Sequence, residues 1–153
     1  MSMLLSGNEV FAMAMEIDKS GYAFYSTVAS DTSDPAIREL FTFLAKEETR
    51  HYEFFRGLEG KVGDLEVGRA EWEETSSYIK AMTDGRFFIG EAPAIAAARR
   101  VGSMREALDT AISFEKDTLL FFHEILAVTP ERSREAARQI ADEEKRHILM
   151  LSE

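Results

Sequence analysis

The chain has 153 residues, of which 45% are hydrophobic and 30% charged, enough for one domain built round a single core. A formal charge of −10 argues against nucleic acid as a partner, because phosphates would be repelled. Cysteine is absent, which excludes disulfides, thiolate catalysis and any Cys-held iron or zinc centre in this chain.

Met1 to Met15 lacks a basic segment followed by an apolar run, so no signal peptide is expected and cytoplasm is the expected address. Helical periodicity begins at about residue 8 and lasts to about 30, with Val10, Ala14, Ile17, Asp18, Gly21, Tyr25, Val28 and Ala29 on one stripe. Ser6 and Glu9 have capping-box spacing at its start. A second helix is expected over 35–58, with Asp34 as N-cap and Pro35 at the first helical position. Its stripe, Ile37, Phe41, Leu44, Glu48, His51, Phe55 and Leu58, keeps one face toward partner helices. Residues 59–103 read differently. Gly57, Gly60, Gly63 and Gly68 interrupt structure, a short amphipathic helix is expected over about 69–82, and Phe87 to Ile89 form an apolar plug. So long a connection implies a crossover along the bundle rather than a tight hairpin.

A third helix is expected over 104–128, with Ser103 and Glu106 at capping-box spacing and a stripe of Leu108, Ala111, Glu115, Thr118, Phe122 and Ile125. Leu119 to Val128 is the longest apolar candidate for a membrane span, but His123 and Glu124 interrupt it, so it reads as core helix and no membrane partner is expected. A fourth helix over 130–151, entered through Thr129-Pro130, buries Ala137, Ile140, Glu144, His147 and Leu151. The expected class is all-α: one domain over residues 1–153, a four-helix bundle with a long crossover between its second and third helices.

The two helical pairs repeat each other. Ala14-Met-Glu-Ile-Asp18-Lys19 aligns with Ala111-Ile-Ser-Phe-Glu115-Lys116, which sets Tyr25 against Phe122. Ala45-Lys-Glu-Glu48-Thr-Arg-His51 aligns with Ala141-Asp-Glu-Glu144-Lys-Arg-His147 at almost the same offset. A duplicated helical hairpin explains both and implies a pseudo-twofold axis. The polar residues that recur sit on the buried stripes, where an unpaired carboxylate costs several kcal/mol. Asp18 and Glu48 are equally far from Ser33, and Glu115 and Glu144 are equally far from the Thr129-Pro130 turn. Residues equidistant from a turn lie level on antiparallel helices, so each hairpin brings its own carboxylates together.

Glu48 and His51, like Glu144 and His147, are three apart and share a helix face. One Glu-x-x-His is a weak signal. Two of them, each with a carboxylate from another helix, match the arrangement of di-iron and di-manganese carboxylate proteins. Phe-Leu-Ala-Lys-Glu-Glu-Thr-Arg-His, ending at His51, and Ala-Ile-Ser-Phe-Glu-Lys-Asp, around Glu115, resemble the second and third helices of the rubrerythrin and ferritin-like di-iron superfamily. The resemblance covers the four bundle helices and not residues 57–103. It implies a ferritin-like bundle in which Glu48 and Glu144 bridge two metals, His51 and His147 bind one each, and Asp18 and Glu115 are terminal ligands.

This sequence departs from the family pattern at three points. Asp18 stands where Glu is usual, and its shorter arm implies binding through water or one weakly held metal. Thr118 stands where rubrerythrins carry a further Glu. There is no Cys-x-x-Cys rubredoxin segment, so electrons are expected from another protein. The resemblance implies two iron ions, with manganese or zinc able to replace them, an oxidoreductase reacting with peroxide or dioxygen, and a homodimer. A ferroxidase or iron-storage protein, and a non-catalytic metal-binding scaffold, are the alternatives. Tyr22, Tyr25, Tyr52 and Phe122 read as packing residues, Tyr25 also as a hydrogen-bond donor near the metals. His123 reads as structural and the seven methionines as core filler. Arg50 and Arg146 recur and have acids nearby, while the charges of Lys46–Arg50 and Glu143–Arg146 read as a solvated face.

Overall fold

In the computed structural model, residues 7–58, 73, 74, 77, 81, 90–126, 129 and 131–152 are described. They form α1 (Gly7–Asp31), α2 (Pro35–Leu58), α3 (Glu91–Arg100), α4 (Met104–Ile125) and α5 (Glu131–Ser152). α1 packs along α2, against α3 and against α4, and α4 packs along α5. The architecture is the expected all-α bundle of two helical hairpins. The expected helix over about 69–82, the Phe87–Ile89 plug, and the Ser6 and Pro130 positions lie largely or wholly outside the described residues.

Local chemistry sets the helix ends. The Asp34 carboxylate accepts from the backbone N–H groups of Ala36 (2.8 Å) and Ile37 (3.2 Å), and the Asp34 carbonyl accepts from Arg38 N (3.0 Å), so the first free donors of α2 are satisfied. Arg38 turns back to donate to the carbonyls of Ala29 and Thr32 at the close of α1. Asp34 and Arg38 thereby tie both ends of a three-residue turn and hold α1 antiparallel to α2. Ser103 caps α4 through the N–H of Glu106 (3.1 Å), whose carboxylate accepts from Gly102 N (2.7 Å).

Two boundaries differ from expectation. α4 closes at Ile125, short of Val128, and the Thr129 N–H bonds the Ile125 carbonyl at 3.1 Å. Pro130 disfavours helical geometry in the residue before it, which suits an early close. Inside the expected crossover stands an additional helix, α3. Its Ala-rich sequence favours helix, its proline lies in the first turn, and Arg99 and Arg100 sit in the last turn where the helix dipole favours cations. The Ser20 hydroxyl accepts from Gly90 N (2.7 Å) and so pins the entrance of α3 to α1. Gly90 has φ +110°, which a side chain would strain.

The core has an aromatic layer on each side of its polar middle. Phe11, Phe55 and Phe122 form one, with ring centroids 6.3 Å apart for Phe11–Phe55 and 5.1 Å for Phe55–Phe122. Tyr25, Phe24, Phe41 and Phe114 form the other, with Phe24, Phe41 and Phe114 set edgewise or tilted around them. Such edge-to-face pairs add to the gain from burial alone. Among the described residues no helix is long and apolar enough to cross a membrane.

Phe41 is fully buried and its ring meets Tyr25 at 5.6 Å. Phe41→Ala should lower the unfolding free energy by about 3–5 kcal/mol, measured as a shift of the urea midpoint at constant slope.

Candidate metal centre

Asp18 comes from the middle of α1, Glu48 and His51 from one face of α2, Glu115 from α4, and Glu144 and His147 from one face of α5. All six are buried, the most accessible being His147 at 2%. The bundle brings them together as two matching triplets. One ligand atom each from Asp18, Glu48 and His51 lie within 4.8 Å of one another, and so do those of Glu115, Glu144 and His147. Glu144 links the triplets, with one oxygen 3.0 Å from His51 Nδ1 and the other 3.3 Å from His147 Nδ1. The two imidazole rings stand 6.1 Å apart and nearly parallel.

Most of these atoms have no hydrogen-bond partner. Both oxygens of Asp18, both of Glu48, His51 Nδ1, Glu115 Oε2 and Glu144 Oε1 are buried without one. The short His51–Glu144 approach is therefore not aligned as a hydrogen bond. Native interiors leave few polar atoms in this condition, and here they cluster at one place between two aromatic layers. Convergent buried acceptors of carboxylate and imidazole type form a donor set that fits iron, manganese or zinc. The set fits a cation, which would satisfy these acceptors at once.

Three further features shape the centre. First, Glu47 and Glu143, expected on a solvated face, instead reach the far edges of the imidazoles. His51 Nε2 donates to Glu143 at 2.8 Å, and His147 Nε2 lies 3.7 Å from Glu47. Arg50 donates to Glu47 at 2.8 Å and also to Glu143. Glu143 of the second hairpin thus braces His51 of the first, and Glu47 of the first stands near His147 of the second, with the guanidinium between the two acids. Holding Nε2–H on a carboxylate sets the tautomer and leaves Nδ1 as an acceptor toward the centre. The signal was present in the repeat as Glu-Glu-x-Arg-His in both halves, but helix periodicity alone places the first Glu beside the buried stripe, not across an interface.

Second, Gly21 lies against Glu48. A Cβ there would stand 2.8 Å from Glu48 Cδ and 3.0 Å from Phe114 Cε1, so only glycine leaves Glu48 its place. Third, the Tyr25 hydroxyl donates to Glu115 Oε1 at 2.5 Å. Its repeat partner Phe122 packs against the His51 ring and has no hydroxyl to offer. Thr118 is buried and turns its hydroxyl back to the Phe114 carbonyl.

Burial dominates the proton balance. It raises Asp18, Glu48 and Glu115 well above the usual carboxylate range, with the Glu144 charge adding to the rise at each. Burial opposes charge on the histidines too, yet Glu144 holds His51 up at about 9, and Glu115 with Glu144 holds His147 up at about 10. Burial alone would also raise Glu144, but Glu115 and the two histidines beside it keep it below the ordinary range, as the ionised member of the group. For Tyr25, burial and then the Glu115 charge push the phenol well above 10, so it stays a donor.

Comparison with known proteins agrees with this architecture. Residues 3–59, spanning α1 and α2, match the rubrerythrin family model. No curated protein matches the sequence. Among solved structures the chain is similar to a Thermotoga maritima protein proposed as a ferritin-like diiron-carboxylate protein. The two share 24% identity with a TM-score of 0.69 over 99% of this chain and 95% of that one. The fold is therefore ferritin-like, and the first hairpin is similar to the rubrerythrin model, as the resemblance implies.

Without metal, the native centre holds more protons than the unfolded chain, because three carboxylates and both histidines have raised pKa values. Stability then falls as pH rises. For the histidines the contribution is whole below about 6.5 and disappears as pH passes their folded values of about 9 and about 10. Glu144 and Glu143 work in the opposite sense, and only in acid. Thermal melts of chelator-treated protein should show the midpoint falling steadily from about pH 6 to about pH 9; a midpoint that rises over that range would refute this proton balance.

Proposed function

We propose that this protein is a di-iron carboxylate oxidoreductase that reduces peroxide or dioxygen. The observation that carries the reading is the set of buried acceptors without partners, drawn in two matching triplets from both hairpins. Four carboxylates bear the charge that two divalent cations would balance, with both imidazoles neutral. Glu48 and Glu144 lie centrally and would bridge the ions, Glu144 already facing both imidazoles. Asp18 and Glu115 would be terminal ligands, and His51 and His147 would each bind one ion through Nδ1.

Bound ferrous iron supplies the two electrons that cleavage of an O–O bond requires. The chain's own residues do the rest. Glu143 holds the His51 edge by a hydrogen bond and so fixes which nitrogen faces inward, while Arg50 ties Glu143 to Glu47 beside His147. The aromatic layers exclude bulk water, which strengthens each charge interaction at the centre. Tyr25 holds one Glu115 oxygen and keeps its proton there. With peroxide as oxidant, two electrons and two protons give two waters. Since the chain has no cysteine to relay electrons, an external electron-donor protein restores the reduced state.

Protein reconstituted with ferrous iron should hold two ions per chain and consume peroxide when a reductant is supplied, followed by metal analysis and peroxide loss. Two bound ions without turnover under any reductant would refute the oxidoreductase reading and leave a metal-binding bundle. Glu143→Gln weakens the brace on His51 and should lower metal affinity by about 10–100-fold, read by competition with a chelator. Because ions must displace protons from both histidines, affinity should also rise with pH.

A further inference from the structure

The two triplets share a repeat but not an environment. The unpartnered atoms are divided unequally: five belong to Asp18, Glu48 and His51, and two to Glu115 and Glu144. Asp18 keeps both oxygens free, whereas Tyr25 occupies Glu115 Oε1 at 2.5 Å. His51 is anchored by Glu143 at 2.8 Å, whereas His147 stands 3.7 Å from Glu47, beyond a direct hydrogen bond. Both Nδ1 atoms lie near Glu144, but that of His51, at 3.0 Å, is not aligned as a hydrogen bond, whereas that of His147 makes one at 3.3 Å and has Glu115 3.7 Å away.

From these differences, and resting on the di-metal reading above, we infer that the centre loads in order: a divalent cation occupies the Asp18–Glu48–His51 position first and tightly, and the Glu115–Glu144–His147 position second and more weakly. An ion at the first position satisfies atoms that otherwise have no partner, which recovers the cost of burying them. An ion at the second must compete with contacts the protein already makes. The short arm of Asp18, which by itself suggests the weaker position, is offset by its placement, since an Asp18 oxygen lies within 4.8 Å of the Glu48 and His51 ligand atoms. Gly21 contributes by letting Glu48 lie close to α1. Tyr25 is the positioning residue that makes the second position different.

The test is a titration of the metal-free full chain with Mn(II), followed by calorimetry and by the electron paramagnetic resonance of free ion. Two steps of one ion each are expected, their affinities separated by about tenfold or more, the scale of a single outer hydrogen bond to a ligand. Asp18→Asn should remove the tight step and leave the weak one. Tyr25→Phe, which keeps the ring and frees Glu115, should tighten the second step and narrow the separation, with helix content unchanged by circular dichroism. Two equivalent ions in the parent protein, loss of the weak step in Asp18→Asn, or an unchanged separation in Tyr25→Phe would each overturn the loading order while leaving the di-metal reading intact. No binding of Mn(II) at all would overturn both.

Discussion

Mutual repulsion among four carboxylates in a dry interior is the constraint round which this molecule is arranged. Asp18, Glu48, Glu115 and Glu144 are fully buried and close enough that the charge on Glu144 shifts the other three. Left to themselves they would push the helices apart or take up protons. The chain counters with two imidazoles at the centre, a phenol on one carboxylate, and an outer brace of Glu47, Arg50 and Glu143. These partners still leave acceptors unsatisfied, and that remainder links the fold to cation binding.

The apolar core makes the arrangement tolerable. Aromatic clusters on either side of the centre supply the burial that offsets the polar middle, and apart from Phe114, which adjoins Glu115, those on α2 and α4 lie one or two helical turns from the ligands on the same stripes. Phe41 and Phe55 flank Glu48 and His51 on α2; Phe114 and Phe122 flank Glu115 and Thr118 on α4. Each helix thus carries apolar, polar and apolar bands, and the bands lie level because the turns fix where the helices start. Asp34 and Arg38, which tie the α1–α2 turn, matter to the centre through this register.

Duplication gives symmetry, and single substitutions within the repeat break it. Asp18 against Glu115, Tyr25 against Phe122 and Gly21 against Thr118 are pairs that differ beside the centre, and all concern α1 and α4. The α2 and α5 segments keep Glu-Glu-x-Arg-His in both copies. Shared residues build a centre with two positions, and unlike residues make those positions chemically distinct.

The amino-acid sequence by itself determined the four main helices, their buried stripes and the six central side chains. Periodicity, capping residues and the repeat are local or self-similar signals, and a carboxylate on an apolar stripe is conspicuous without coordinates. It did not disclose α3, whose short Ala-rich run has a weak stripe inside a glycine-broken region, nor the inward reach of Glu47 and Glu143. Those two glutamates sit beside the stripe, where a side chain is solvated on an isolated helix and becomes a brace only when a second helix lies across it. Likewise, that Gly21 yields room to Glu48, and that Tyr25 bonds Glu115, twenty-odd residues or far more away along the chain, are facts of distance between helices. Helix spacing and crossing follow from how side chains pack in three dimensions, so only the tertiary structure decided them.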